Sequence, residues 1–493
     1  MSEKKKLKIL VVSSEVVPFA KTGGLADVAG ALPIALEKLG YEVCVAMPKY
    51  GCINEAKANL SGQTMIFDLT LGNNTKSAII KSGKLPGSNV NVYFIQNDDY
   101  FNRRELYSES GQDYGDNAQR FSFFSMAVLV MLKNLNWQPD IIQCNDWQSA
   151  MIPTYLKTIY REDSFFKNTK VLYTIHNLAY QGSSSKYLIF DIGLNWDYFN
   201  PGGVEFYNNI NFMKAGLIYA DKISTVSEGY SKEIQTPEYG CGLEGVLQFR
   251  KEDLLGIING IDYNVWNPEI DEHIAKKFSV DDVSGKSVCK KDLQKICRLP
   301  EDTKPPLIGI ISRLADQKGF DLIAEIIDKI MEMDLQIVIL GTGEPKYHTL
   351  FEEIGKKYKK KISLNIKFDN TLAHKIEAGS DMFLMPSKYE PCGLNQLYSL
   401  KYGTVPIVRH TGGLADSITD YTPEANKKGE ATGFKFYEYK SAELFETIKK
   451  ALKVYNTEPS WYKLRKNGML KDFSWNASAK KYEKLFLKMI GGN

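Results

Sequence analysis

The sequence predicts an α/β protein built from two doubly wound parallel-sheet domains, and three observations carry that reading. Short apolar runs alternate with segments of helical periodicity through the first half of the chain. The alternation stops after Asn259, Gly260 and Ile261 for a polar stretch to about Lys286, and then begins again. The hexapeptide TGGLAD occurs twice, at 22–27 and at 411–416, once in each half. At average residue usage a chance six-residue self-match in a chain this long has odds on the order of one in a hundred. The spacing, 411 minus 22 or 389 residues, is far beyond the period of a solenoid repeat. Two domains that each use the segment account for it, because 493 residues exceed the roughly 250–300 at which a single core stops growing.

Taken in order, LKILVV (7–12), EVCVAM (42–47), DIIQC (140–144) and VLYTI (171–175) are apolar runs bounded by loops, the pattern of strands buried on both faces. Between the first two, Leu25, Val28, Ala29, Leu32, Leu36 and Leu39 fall at helical spacing that ends at Gly40, and Pro33 predicts a kink. In the second half PLIGIIS (306–312), LQIVILG (335–341), DMFLMPS (381–387) and TVPIVR (404–409) are strand-like, with a helix over Phe320 to Met331. The expected division is residues 1–255, 256–473 and a C-terminal amphipathic helix at 474–493 that packs back on the first domain. Each TGGLAD follows a strand, and open α/β sheets bind ligands outside the carboxyl ends of their strands. Both copies are therefore expected to face an interdomain cleft.

Charge and cysteine usage narrow the function. The 62 basic and 59 acidic residues give a net charge of +3, so no electrostatic field for nucleic acid or membrane is expected. Seven scattered cysteines without a CxxC pair fit neither a disulfide framework nor a thiolate zinc site, and place the chain in a reducing cytoplasm. The apolar run near the start ends at Ser13, Ser14 and Glu15, too soon for a signal peptide. Five dispersed histidines offer no HExxH or paired ligands, so neither a metal nor another cofactor is expected.

Several loops carry chemistry. KTGGLADV sets Lys21, Gly23 and Gly24 ahead of a helix, which reads as an anion cradle or as a tight strand-to-helix turn. GTGEPK (341–346) begins like a dinucleotide fingerprint, but Lys346 stands where the third glycine belongs. SRLADQKGFDL places Arg313 and Lys318 between a strand end and a helix start, where two cations neutralise a diphosphate leaving group or simply decorate a surface. PSKYEPCGLNQ sets Glu390 in a loop before a helix whose first turn carries Gly393 and Leu394, so the acid faces sugar hydroxyls or serves as an N-cap residue. QCNDWQSA contributes Asp146 and Trp147, and YTIHNLAYQG contributes His176 and Asn177, each ending a strand of the first domain. Trp147 reads as core or as a sugar platform.

Together KTGGLADV, NDW, HNLAYQG, NGIDYNVWNP, SRLADQKGFDL, EPCGLNQLYSLKYG and RHTGGLADS resemble, in order and context, the bacterial glycogen synthase and plant starch synthase family over nearly the whole chain. The resemblance implies a GT-B fold, two Rossmann-like domains facing a deep cleft with a C-terminal helix returning to the first. It implies transfer of glucose from ADP-glucose to the non-reducing 4-OH of an α-1,4-glucan such as glycogen, with retention. It further implies that Lys21, Gly23 and Gly24 meet the donor, that Arg313 and Lys318 bind its phosphates, and that Glu390 contacts the transferred glucose. Cys392, Gly393, Leu394 and Asn395 would line that site, His176 would lie near the sugar's 6-OH, and Asp146 would lie at the acceptor side. Asn177, Asn259 and Phe368 complete the expected binding set, Phe368 as the aromatic near adenine. Tyr398 stands where related retaining transferases carry a second glutamate, as in the glycogen synthase branch. Gln148 and Asn395 replace a histidine and a threonine found in other members. UDP-glucose as donor, or a silent glucan-binding protein, are the alternatives.

Overall fold

The computed structural model describes residues 6–62, 65–109 and 111–491; residues 1–5 of the expected first domain and 492–493 of the expected last helix lie outside them. The chain forms two compact units: 1–226 with 231–260 and 475–493, and 227–230 with 261–474.

The first unit is built on a nine-stranded sheet. Its strands are β1 (Lys8–Val12), β2 (Glu42–Pro48), β3 (Met65–Leu71), β4 (Asn74–Lys84), β5 (Asn91–Gln96), β6 (Ile141–Asn145), β7 (Lys170–Ile175), β8 (Lys222–Thr225) and β9 (Leu254–Gly256). They lie in the order β9-β8-β7-β6-β1-β2-β5-β4-β3. Pairing is parallel from β9 to β5, and β4 and β3 add an antiparallel edge hairpin. The central strands are buried on both faces, which is why they read as continuous apolar runs.

The helix Gly24–Lys38 continues across Pro33, which stays buried inside it. It ends as Gly40 takes φ +96° and the Tyr41 amide reaches back to the Leu36 carbonyl, a left-handed glycine stop. The last helix, Trp475–Met489, packs against Gly24–Lys38, and Tyr41 donates its hydroxyl to Glu483 at 2.7 Å. Gly260 is needed beside it, since a Cβ there would stand 2.6 Å from the Trp475 Cα.

The second unit carries a six-stranded, wholly parallel sheet of β10 (Leu307–Ile311), β11 (Gln336–Leu340), β12 (Ile362–Asn365), β13 (Met382–Met385), β14 (Val405–Arg409) and β15 (Phe434–Phe436), ordered β12-β11-β10-β13-β14-β15. Ile308, Ile310, Ile337 and Ile339 join one core with Ile326, Ile330 and Phe351, while Leu307, Val338 and Phe383 join another with Leu293 and Ile376. Alternate side chains thus bury opposite faces of the same strands. Residues 261–284 have no regular helix or strand before Gly285–Ile296, where the sequence pattern lapsed.

Candidate active site

In each sheet the first strand has its sequence neighbour on one side and a later strand on the other, so the strand order reverses between β1 and β6 and again between β10 and β13. Loops leaving the carboxyl ends of strands at such a point diverge and open a crevice. The expected site residues gather mainly on these loops, in two clusters, one per unit.

In the first unit the end of β6 is locked to its neighbours. Asn145 Nδ2 donates to the Val12 carbonyl at 2.9 Å, which turns Asn145 Oδ1 toward His176 Nε2, also at 2.9 Å. Nε2 must then carry the proton, leaving Nδ1 as the unprotonated nitrogen. Burial pushes the His176 imidazole down to about 3, so the ring is neutral at physiological pH. Asp146 Oδ1 accepts from the amides of His176 at 2.7 Å and Asn177 at 3.4 Å. Its backbone sits at φ 53°, ψ −176°, a region costing roughly 1–3 kcal/mol for a non-glycine residue. Burial lifts the Asp146 carboxyl to about 7; the two amides oppose that rise and the charge of Glu15 adds to it. Asn177 turns its own Oδ1 to the Ala179 amide at 3.1 Å.

Trp147 belongs to the core. Its ring packs edge-on to Phe121 at 4.9 Å and Phe212 at 6.1 Å, and a Cβ on Gly182 would stand 2.3 Å from it. Gln148 is buried beside it. Asn259 is buried beyond β9, and its Oδ1 has no hydrogen-bond partner among the described residues.

The KTGG loop differs from a bare anion cradle. Lys21 pairs with Asp27 at 2.7 Å, and burial raises the Asp27 carboxyl despite that cation. The amides of Thr22 and Gly23 point to the carboxylate of Glu15, the latter at 3.1 Å. Gly24 opens the helix and Gly23 is its N-cap, with nothing within 4 Å of where a Cβ would stand. Sequence reasoning used Glu15 only as the end of an apolar run. An acid three residues after a buried strand and eight residues before a glycine pair was the signal available.

In the second unit Lys318, from the loop after β10, meets Glu390, from the loop after β13, with Nζ and Oε2 2.6 Å apart. Ser387 donates its hydroxyl to the same oxygen at 3.0 Å. Arg313 is exposed and donates to Gln317 Oε1 at 3.3 Å, while Gln317 holds the Tyr389 carbonyl at 3.3 Å. The Glu390 loop is further held by Arg409, whose Nε donates to the Ser387 carbonyl at 3.0 Å, an arrangement sequence reasoning missed. Cys392 is buried, Gly393 takes φ +71°, Leu394 is half-buried, and Asn395 ties the following helix to the Ile311 carbonyl at 2.6 Å.

The second TGGLAD grips this loop from outside. The Gly413 amide donates to the carbonyls of Glu390 at 3.1 Å and Pro391 at 3.2 Å, and a Cβ on Gly413 would lie 2.1 Å from the Cys392 carbonyl oxygen. Phe368, after β12, is 87% exposed and stands apart from these contacts. Tyr398 stacks on Trp266 at 4.0 Å, and Trp266 stacks on His374 at 3.8 Å. In GTGEPK the glycines serve packing, since a Cβ on Gly341 or Gly343 would strike the carbonyls of Ser312 or Leu314.

Comparison with known proteins agrees along the whole chain. Residues 8–249 match the family model described as the starch synthase catalytic domain, and residues 294–468 match glycosyl transferases group 1. A glycogen synthase of Koribacter versatilis is 47% identical over 484 residues, 98% of each chain. One from Geotalea uraniireducens is 46% identical, covering 97% of this chain and 98% of the other. The solved catalytic domain of starch synthase IV from Arabidopsis thaliana, bound to ADP and acarbose, superposes with a TM-score of 0.91 at 33% identity, covering 98% of this chain and 99% of that one. With two doubly wound α/β units of the GT-B kind and this likeness over its full length, the chain belongs to the glycogen synthase and starch synthase family of glycosyltransferases.

Proposed function

We propose that the protein transfers glucose from ADP-glucose to the non-reducing 4-OH of an α-1,4-glucan, with retention at the anomeric carbon. The observation that carries this reading is the pairing of Lys318 with Glu390 at the strand-order reversal of the second sheet, with Arg313 exposed on the same loop, in a chain of this family. Arg313 and Lys318 bind the donor diphosphate. As the bond between anomeric carbon and phosphate oxygen lengthens, negative charge grows on the leaving group, and cations already fixed in place favour that state over the ground state. Each 1.4 kcal/mol of such preference is about tenfold in rate.

Glu390 holds Lys318 in line and accepts from hydroxyls of the transferred glucose, with Cys392, Gly393, Leu394 and Asn395 lining the same sugar and phosphate. Lys21, Gly23 and Gly24 also bind the donor. Neutral His176 accepts from the sugar's 6-OH through Nδ1, with Asn177 and Asn259 supporting that side, and Asp146 lies toward the acceptor. The incoming 4-OH attacks from the face the diphosphate leaves and passes its proton to the departing phosphate. All seven cysteines are free, in keeping with a cytoplasmic enzyme, and among the described residues no helix is long and apolar enough to cross a membrane.

UDP-glucose is the competing donor, because the glycine and Arg/Lys loops read phosphate rather than base. Exposed Phe368, free to stack on a purine, favours ADP-glucose. Side-by-side kinetics decide: kcat/KM at least about tenfold higher for ADP-glucose is expected, and a preference for UDP-glucose would overturn the donor assignment.

A further inference from the structure

Glu15 lies three residues beyond the end of β1 and is only 4% exposed. Among the described residues no lysine, arginine or histidine pairs with it; Lys21, close in sequence, pairs with Asp27 instead. Its carboxylate gathers four neutral donors. Oε2 accepts the amides of Thr22 and Gly23, while Oε1 accepts the Thr22 hydroxyl at 2.6 Å and the Tyr107 hydroxyl at 2.8 Å. Tyr107 in turn lies 2.7 Å from Ser14 Oγ; since its one proton goes to Glu15, the serine is the donor there.

The helix Gly24–Lys38 explains why this matters. Its N-cap is Gly23, which has no side-chain oxygen, and no side chain of the cap residue satisfies the first turn. Glu15, from eight residues upstream, instead accepts the backbone amide of the N-cap residue itself, the contact that a glutamate at the third helical position makes in a capping box. It does so from the buried side. On the other side the space over Gly23 is open, with nothing within 4 Å of where a Cβ would point. The loop is thus pinned from behind and left bare in front, where a ligand approaches.

We infer that Glu15 is a positioning residue for the donor. Its carboxylate fixes the Lys21–Gly24 loop in the form that presents Lys21 and the Gly24 amide to the donor diphosphate, without itself touching the donor. The inference rests on the reading that this loop binds the donor. A glutamine can take over the role: its carbonyl oxygen accepts the two amides, and its NH2 donates to the Thr22 and Tyr107 oxygens once those hydroxyls rotate.

Steady-state kinetics of Glu15→Ala, Glu15→Gln, Tyr107→Phe and Lys21→Gln in the full chain test this. Glu15→Ala is expected to raise the donor KM about tenfold or more, leaving the glucan KM within about twofold. Glu15→Gln is expected to restore the donor KM to within about threefold of the parent. A merely structural role would lower the melting temperature and the active fraction yet leave the donor KM of the surviving enzyme unchanged, and that result overturns the inference. So does a Glu15→Gln protein as impaired as Glu15→Ala, which would mean that the charge itself acts on substrate. Should Glu15→Ala fail to fold, Tyr107→Phe decides: a donor KM raised about two- to fivefold supports the inference and an unchanged one overturns it. If Lys21→Gln leaves the donor KM unchanged, the donor-loop reading falls. If Lys21→Gln raises it and Glu15→Ala does not, only the role of Glu15 falls.

Discussion

Lys318 and Glu390 stand 72 residues apart in sequence and 2.6 Å apart in space, on loops that leave neighbouring strands where the sheet reverses its order. Their side chains are 20% and 8% exposed, so both ions are held in place before any substrate arrives. Glu390→Ala removes the partner of Lys318 and is expected to lower kcat on the order of 10²-fold or more. The lost charge-assisted hydrogen bond costs about 1.5–3 kcal/mol of stability. Glu390→Gln keeps an acceptor for Lys318 and is expected to recover most of that stability but little of the turnover. Thermal melts beside initial rates measure both, and near-normal turnover in either variant removes Glu390 from the mechanism.

Asp146 yields a pH-dependent stability. Unfolded, its carboxyl titrates near 3.8; folded, burial lifts it to about 7. Between those values only the folded protein holds the proton, so stability falls as pH rises through the window and the penalty is complete above it. Asp146→Asn keeps an oxygen for the His176 and Asn177 amides and removes the charge. The variant's gain in melting temperature should be absent near pH 4, grow to about pH 7 and then level off, at roughly 2–4 °C per kcal/mol. A gain that does not change with pH would contradict the buried-acid reading.

His176 behaves oppositely. Its ordinary value of 6.5 is pushed to about 3, so between those values only the unfolded chain takes up the proton and stability is lost as pH falls. In the folded enzyme the ring stays neutral from about pH 5 to 8. Its NMR ring-proton shift, identified by its loss in His176→Asn, should be flat over that range. A titration centred near 6.5 would remove the burial argument and the Nε2–H assignment with it.

The two TGGLAD copies are not equivalent, and their glycines separate them. A Cβ at Gly23 meets nothing within 4 Å, whereas one at Gly413 would lie 2.1 Å from the Cys392 carbonyl oxygen and 2.4 Å from its Cα. Gly413→Ala should therefore destabilise the second unit by roughly 1–3 kcal/mol through overpacking and disturb the Glu390 loop. Gly23→Ala should cost no more than about 1 kcal/mol, the difference between glycine and alanine at an N-cap, and act mainly on the donor KM. Equal losses of stability in the two variants would contradict this division.

The parallel strands were legible because burial on both faces leaves an unbroken apolar run: LKILVV, DIIQC, LQIVILG and TVPIVR all lie on strands. The edge hairpin Met65–Leu71 with Asn74–Lys84 was not, because one of its faces meets solvent and its apolar residues are diluted by Asp68, Thr70, Asn74, Thr75 and Lys76. KIST and LLG are too short to show any period. At the site, the types and order of Lys318 and Glu390 were legible but their contact was not, because it depends on which strands lie side by side. Trp147 could be assigned to the core only once Phe121, Phe212 and Gly182 were seen around it. Glu15 escaped because its partner Tyr107 lies 92 residues away, on a segment without periodicity.

The most direct test is incorporation of radiolabelled glucose from ADP-glucose into glycogen by the purified protein, followed by digestion with β-amylase, which cuts α-1,4 links from non-reducing ends. Label in the polymer that is released as maltose is the expected result. Absence of incorporation from ADP-glucose and from every other nucleotide sugar tried would contradict the glucan synthase reading at its root.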